Sequence, residues 1–418
     1  NCYAYYNSAF RCYEYNWGKA KSWSTAPSRK IFDGDGNNNC NPTYKVINFY
    51  SSQVQYDKQG GVWVCQYRGA ATDLNPSLVY YDKDGVYRYH EVMNNRGGGG
   101  FRFNKDFTRV IISGGNGVNG EATVYTISND ANGYPTKLTK EFTIAMDLGE
   151  NISDYAWDYA DNIYAVSYSK NKIVAYAMPH SNGRVMSTPA AGKYAFTLSD
   201  NGETPEPEPD DAEGMNPFAY ALSSTLNADK TVLTVNYSLN AKASEVNVVV
   251  LAGETVLKTI ACEGLIKGAH SVEVPTADFP TEEAITWRVD VKGTEVKEVT
   301  LVDNSVKMYA PTSVDIDNNP ENENFGTVFV VEGFPTAKDN ATYANYISYV
   351  DGAGLYVLNA DGTARRMPNQ GDKVRYGYNG GRVSQTRQYF NGNSSSAYSP
   401  YRVRVSEDGR IFVSSLSP

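Results

Sequence analysis

The sequence predicts an all-β protein, and three observations carry that prediction. Tyrosine (33 residues) and glycine (36) are abundant, while charged residues make up 20% of the chain, below the roughly 25% of an average protein. Short apolar segments alternate with turns rich in Asp, Asn and Gly, as they do in hairpins. No apolar run reaches the roughly 18 residues that a membrane-spanning helix needs. A chain of 418 residues is expected to divide into about two to four domains.

One phrase recurs in the first half of the chain: an apolar strand, a turn of the form D/N-x-x-G, and a second apolar or aromatic strand. It covers residues 54–64, 101–112 and 155–166, and its equivalent turn positions are 47 and then 54 residues apart. A four-stranded repeat of that length is typical of one β-propeller blade and is too long for a leucine-rich repeat. Residues 1–198 are therefore predicted to form part of a β-propeller.

Residues 199–215 are predicted to be a linker, because PEPEPDDAEG alternates proline with acidic residues and has almost no apolar side chain. The phrase is absent from residues 216–303, where short strands follow one another at the spacing of an immunoglobulin-like β-sandwich. Trp287 is the expected aromatic centre of that sandwich.

The phrase returns in residues 308–418, most clearly at 401–413, so this segment is predicted to be a second propeller part. The whole propeller is expected to have about 5–7 blades. Residues 1–15 read as two outer strands and residues 401–413 as an inner pair, so we expect the two chain ends to share one blade. Completion of such a blade between molecules, and hence self-association, is the alternative.

Four segments carry a resemblance to a known group of proteins: residues 11–16 (RCYEYN), 154–160 (DYAWDYA), 216–223 (NPFAYALS) and 313–322 (SVDIDNNPEN). They resemble secreted or surface proteins of gut Bacteroidetes that join an immunoglobulin-like module to a β-propeller. The resemblance implies an extracytoplasmic location, either secreted or attached to the outer surface. In that group the sandwich precedes the propeller, so this chain is expected to be either a permuted chain or a slice of tandem units.

Cysteines and histidines give no sign of a metal or redox centre. The five cysteines have no C-x-x-C spacing. Buried thiols are one interpretation, and a disulfide between Cys2 and Cys12 across a hairpin is the other. The three histidines lie far apart in the sequence and are expected to be structural. No cofactor is expected, although two loops rich in oxygen ligands are calcium candidates beside the reading as ordinary polar loops. Their residues are Asp33, Asp35, Asp315 and Asp317.

Inner propeller strands line the central channel and its mouth, so their aromatic, Arg and Asp residues are the candidate ligand contacts. Aromatic faces combined with Arg and Asp suit a glycan or a protein, whereas packing between blades is the competing interpretation. The candidates are Tyr56, Asp57, Arg102, Phe103, Trp157, Asp158, Arg402 and Arg404.

The predicted function is non-catalytic binding or adhesion at the cell surface or outside the cell, with a glycan or protein ligand at the propeller mouth. A net charge of −9 argues against nucleic acid, which is bound by clustered Lys and Arg. No catalytic residue is assigned. The alternatives are a carbohydrate-active hydrolase or lyase, for which Asp57, Asp158 and Asp315 would be the carboxylates, and a self-assembling structural subunit.

Overall fold

The structure is a computed structural model, and it describes residues 2–6, 9–14, 29–33, 51–66, 78–84, 86–92, 100–113, 121–145, 152–167, 172–181, 183–190, 214–281, 283–307, 311–332, 354–362 and 400–415. These residues form antiparallel strands and no helix, which confirms the all-β prediction. In these ranges there is accordingly no helix long and apolar enough to cross a membrane.

The described residues before position 150 form eleven strands in three sheets. Sheet 1 has the order β1 (Cys2–Tyr6), β2 (Ala9–Glu14), β3 (Arg29–Asp33). Sheet 2 has the order β4 (Ser51–Tyr56), β5 (Val62–Gln66), β6 (Leu78–Tyr81), β7 (Tyr87–Glu91). Sheet 3 runs in sequence from β8 (Phe101–Phe103) through β9 (Arg109–Ser113) and β10 (Glu121–Asn129) to β11 (Pro135–Ala145).

Sheet 4 combines strands from distant parts of the sequence. Three are consecutive: β12 (Ile152–Trp157), β13 (Asn162–Ser167) and β14 (Lys172–Ala177). The fourth is β22 (Thr300–Lys307), which pairs antiparallel with β14. Everything between β14 and β22 is therefore an insertion into this sheet. The boundary predicted between residues 303 and 308 falls too late, because β22 belongs to sheet 4.

The insertion is a two-sheet region. One sheet has the order β15 (Val185–Pro189), β21 (Ile285–Lys292), β18 (Glu245–Ala252), β19 (Thr255–Ala261). The other has the order β16 (Ala219–Leu226), β17 (Val232–Leu239), β20 (Gly268–Pro275). Residues of both sheets share one core, in which Trp287 is almost fully buried and donates its indole N–H to Ser224 Oγ at 3.1 Å. Strand β15 differs from the predicted boundary, since it precedes residue 199 yet pairs with β21.

After the insertion, the described strands form two further sheets. Sheet 5 has the order β23 (Pro311–Ile316), β24 (Val328–Glu332), β25 (Gly354–Leu358), and sheet 6 pairs β26 (Pro400–Val405) with β27 (Ile411–Ser415). Among the described strands, β1–β3 and β26–β27 belong to two sheets, and the blade shared by the two chain ends stays a prediction.

Several sequence predictions fall where the structure is not described. The linker at 199–215 is described only at Gly214 and Met215, and Asp35 lies outside the described residues. The predicted Cys2–Cys12 hairpin is present as β1–β2, with Tyr3 opposite Cys12, but nothing is described of these side chains. Among the described residues, Cys65 and Cys262 form no disulfide.

Backbone contacts divide the chain into two compact units. Unit 1 is Asn1–Tyr155 with Ser167–Lys170, and unit 2 is Ala156–Val166 with Asn171–Pro418. In unit 1, sheets 2 and 3 share a core that includes Trp63, Leu78 and Val110. In unit 2, alternate residues of β24 point to opposite sides: Val328 and Val330 pack with sheet 4, and Phe329 and Val331 with sheet 6. Sheet 5 is thus covered on both faces, which explains its continuous apolar strands.

The recurrent turn of the sequence has a defined hydrogen-bond pattern. Asp57 Oδ1 accepts the backbone N–H groups of Gln59 and Gly61 at 2.9 and 2.8 Å. The fourth turn residue, Gly60, has φ +78°, a left-handed conformation that favours glycine. The same capping pattern occurs at Asp82, Asp130 and Asp158.

A buried asparagine network joins the two-sheet region to sheet 4 within unit 2. Asn216 donates from Nδ2 to the carbonyls of Met178 (2.9 Å) and Ala160 (3.3 Å). Its backbone N–H donates to Asn162 Oδ1 at 2.7 Å, and its carbonyl accepts from Asn162 and Asn240. The strand entering β16 is therefore fixed to the turn that joins β12 and β13.

We predict that Asn216→Ala lowers the free energy of unfolding by about 1–3 kcal/mol, because the Met178 carbonyl loses its bond to the buried amide. The Ala160 carbonyl keeps the bond from Arg184. The measurement is urea unfolding followed by tryptophan fluorescence. Asn247→Ala is the matched control, since the Asn247 side chain donates to Glu245 at the surface, and its effect should stay within about 0.5 kcal/mol. Equal effects of the two substitutions would contradict the role given to the network.

Candidate functional site

A cleft of about 170 Å³ lies in unit 1, where the turns β4–β5, β8–β9 and β10–β11 come together. It is smaller than the roughly 300–1,000 Å³ of a drug-sized site, so it matches a single ring or side chain. The turns fit closely, because a Cβ at Gly133 would overlap the side-chain amide of Gln59. The lining residues are Asp57, Lys58, Gln59, Trp63, Phe103, Asp106, Phe107, Thr108, Ile127, Asn129, Gly133 and Pro135.

Three aromatic rings form the apolar wall of this cleft. Phe103 and Phe107 are half-buried and stack with centroids 5.4 Å apart and an interplanar angle of 22°. Trp63, almost fully buried, packs behind Phe103 at 5.3 Å. Aromatic faces that are partly accessible offer a surface on which the C–H face of a sugar can pack.

Phe107 occupies a strained backbone position. Its φ is +57°, in the left-handed region, where a bulky side chain is a genuine outlier that costs of order 1–3 kcal/mol. The turn at residues 130–134 has Gly133 at the corresponding position. The strain places an aromatic ring at the cleft, and backbone strain of this kind concentrates at functional sites.

The turn that contains Phe107 has a counterpart between β16 and β17 in the two-sheet region. Comparison of the two turns shows which residue types this conformation accepts. Asn104 and Asn227 each cap the backbone N–H groups four and five residues ahead, and each donates from Nδ2 to a threonine Oγ1. Lys230, the counterpart of Phe107, has φ +58°. The turn therefore accepts a non-glycine residue in this conformation but does not require an aromatic one.

Polar groups around the rings supply both donors and acceptors. The Lys58 ammonium lies 6.0 Å from the centroid of Phe107. Asp106 pairs with Lys105 at 3.1 Å and is half-exposed. Behind the cleft, burial raises the pKa of Tyr80, and the neighbouring Asp57 carboxylate raises it further. A hydroxyl-rich ligand would find partners of both kinds on these turns.

Of the eight predicted ligand contacts, Asp57 and Phe103 line the cleft, and Tyr56, the residue before Asp57, is 45% exposed. Arg102 does not face a ligand: it is buried, donates from Nε to the Tyr155 carbonyl at 2.8 Å, and pairs with the buried Asp154 at 3.4 Å. This arginine links strand β8 to strand β12. Its charge is used inside the protein.

The remaining predicted contacts lie in unit 2 and also have structural partners. Arg402 donates to the Thr312 carbonyl at 2.6 Å, and Arg404 donates to Ser313 Oγ at 3.0 Å, so both tie β26 to β23. Trp157 and Asp158 are almost fully buried. Both Asp158 oxygens accept hydrogen bonds, from Ala160 and Asn162. Burial raises the pKa of Asp158 to about 7, although these donors lower it.

The carboxylates considered for hydrolysis are likewise engaged. Asp57 and Asp158 cap their own turns, and Asp315 Oδ2 accepts the backbone N–H of Val405 at 2.9 Å. Among the described residues, no group of three or more His, Cys, Asp or Glu side chains could hold a metal ion. Of the calcium candidates, Asp33 is described only as backbone at the end of β3, whereas Asp315 and Asp317 are adjacent to the β23–β24 connection.

Sequence reasoning missed Trp63 and Phe107 as cleft residues. Trp63 was part of the repeated phrase and was available as an aromatic candidate. Phe107 stands where the phrase has Gly60 in the first copy and Asp161 in the third, so an aromatic residue at this position was a weak signal for it.

We predict that Arg102→Met costs about 3–5 kcal/mol of stability, because the buried Asp154 loses its cationic partner. Adding Asp154→Asn should recover part of that loss. The control is Arg410→Met, whose pair with Asp408 is largely exposed and should contribute less than about 1 kcal/mol. Chemical denaturation of the three variants and the unaltered protein measures these differences. If Arg102→Met changed ligand binding and left stability unchanged, Arg102 would be a ligand contact and not a structural residue.

Comparison with known protein families gives no match, and comparison with curated proteins finds none significantly similar to this chain.

Proposed function

We propose that this protein is a non-catalytic glycan-binding protein of the cell surface or extracellular space, with its ligand in the cleft between the turns of sheets 2 and 3. The observation that carries the proposal is the strained backbone of Phe107, which holds its ring beside Phe103 at the mouth of the cleft. A residue in a strained conformation whose apolar ring is only half-buried is better explained by binding than by packing.

The architecture we propose is a β-propeller with an immunoglobulin-like domain inserted into one blade. Three features support the propeller: sheets of up to four strands, the repeated capped turn, and side chains that tie one innermost strand to the next. Gln55 donates to the Phe101 carbonyl, Arg102 to that of Tyr155, and Arg402 to that of Thr312. Two facing sheets around Trp287 support the immunoglobulin-like assignment.

A glycan fits the cleft better than a protein ligand does. The cleft is small, and its wall combines aromatic rings with carboxylate, amide, hydroxyl and ammonium groups, which match a ring with one apolar face and several hydroxyls. Lys58 and Asp57 lie on one turn, and Asp106 and Thr108 on the next. Specific protein interfaces typically bury about 800 Å² on each partner, a much larger surface than this cleft offers.

Hydrolysis is the second candidate, and the structure gives it little support. The carboxylates at the cleft are Asp57, which caps its own turn, and Asp106, which pairs with Lys105. A glycosidase needs one carboxylic acid and one carboxylate on opposite sides of the scissile bond. Calcium as a cofactor and self-association as an assembly mode remain separate proposals.

The test is glycan binding by the protein and its Phe107→Gly variant, on an array of neutral oligosaccharides followed by calorimetry of any that bind. Loss of the ring should weaken binding about tenfold or more, since an aromatic contact is worth of the order of 1.4 kcal/mol. The melting temperature should change little, because glycine relieves the left-handed strain while the Phe103 stack is lost.

Lys230→Gly is the matched control, since it makes the same backbone change in the second copy of the turn. It should leave binding unchanged and raise stability by up to about 1 kcal/mol. Binding that survives Phe107→Gly would show that the cleft is not the site. Release of reducing ends from a bound oligosaccharide would show that the protein is a hydrolase. Binding to a protein and to no glycan would show that the ligand is a protein.

A further inference from the structure

The loop that follows β23 contains two buried oxygen atoms without a hydrogen-bond donor. Asp317 is 1% exposed, and its Oδ1 accepts from Asn322 Nδ2 (2.9 Å) and the Asn319 N–H (3.2 Å). Its Oδ2 is buried and has no partner among the described residues. Asn318 donates from Nδ2 to the Trp157 carbonyl at 2.8 Å, and its Oδ1 is also buried without a partner there.

While the Asp317 carboxylate is ionised, both atoms can only accept, so they cannot satisfy each other. An ionised carboxylate oxygen in the interior is costly unless a positive charge or a donor compensates it. Among the described residues Asp317 forms no ion pair, and the nearby Asp315 carboxylate adds further negative potential. A positively charged species with an affinity for oxygen would compensate both atoms.

We propose that Asp317 Oδ2 and Asn318 Oδ1 bind a divalent cation, calcium by their ligand chemistry. Calcium takes carboxylate and amide oxygens together and completes its shell with backbone carbonyls and water. Because one ligand is an asparagine, the site does not depend on a cluster of three acidic, histidine or cysteine side chains. It lies in unit 2, so it is independent of the glycan-binding proposal.

The position of the loop indicates what the cation would do. Asn318 bonds the backbone at the end of β12, while Asn319 and Asn322 both donate to the Glu407 carbonyl in the β26–β27 turn, at 2.8 and 3.1 Å. A cation held by this loop would stabilise the junction of sheets 4, 5 and 6. With a single carboxylate ligand, affinity is expected in the weak range of extracellular modules, roughly 10⁻⁴–10⁻³ M.

The experiment is thermal unfolding of the full chain, first freed of metal with EDTA and then given about 10 mM calcium, magnesium or sodium chloride at matched ionic strength. Calcium should raise the melting temperature by about 2–4 °C, and magnesium by less, because it dehydrates reluctantly. Asp317→Asn should abolish the calcium response. Asn318→Asp, which adds a carboxylate, should enlarge it even if that variant is less stable in EDTA.

Asp84→Asn is the control, since Asp84 is exposed in the β6–β7 turn and should leave the calcium response unchanged. The proposal is overturned if calcium gives no more stabilisation than sodium, or if Asp317→Asn responds as the unaltered protein does. It is also overturned if stability in EDTA rises as the pH falls and calcium adds nothing. In that case a proton on Asp317 would neutralise the site.

Discussion

The capped turn between paired strands is the interaction on which the rest of the structure depends. Each such turn reverses the chain in a few residues and leaves backbone N–H groups that the strands cannot use. An Asp or Asn at its first position accepts two of them, as Asp57, Asp82, Asp130 and Asp158 do. Because unsatisfied buried amides are costly, this cap allows turns to lie close together and to border a cleft.

Side chains supply a second constraint. Tight turns join strands within one sheet, so contacts to strands outside that sheet have to be made by side chains. Arg102, Arg402 and Arg404 do this by donating to carbonyl or hydroxyl oxygens on β12 or β23. Arginine suits the task because its planar fork can serve several acceptors without deprotonation. The sequence predicted these arginines to be ligand contacts, but in the structure they hold neighbouring strands together.

Local patterns predicted the strands well, because alternation and turn residues are properties of neighbouring positions. The phrase at 54–64, 101–112 and 155–166 became paired strands around a capped turn in each case. Strands β15 and β22 were misplaced because their partners, β21 and β14, are far away in the sequence. At the cleft, Asp57 and Phe103 were identified by residue type. The role of Phe107 depends on its backbone angle, and the residue at this position differs between copies of the phrase, so the sequence carried only a weak signal for it.

The contacts of the two-sheet region with sheets 4 and 5 limit its movement. Its entry strand is fixed to sheet 4 through Asn162, Asn216 and Asn240, and Lys267 forms a buried ion pair with Asp361 after β25 at 3.1 Å. Buried ion pairs and amide networks hold only in one geometry, because a partial separation leaves charges and donors without partners. A spacer that must swing would need a hydrated, weakly bonded connection. The two-sheet region is therefore better understood as a rigid extension of sheets 4 and 5 than as a flexible spacer.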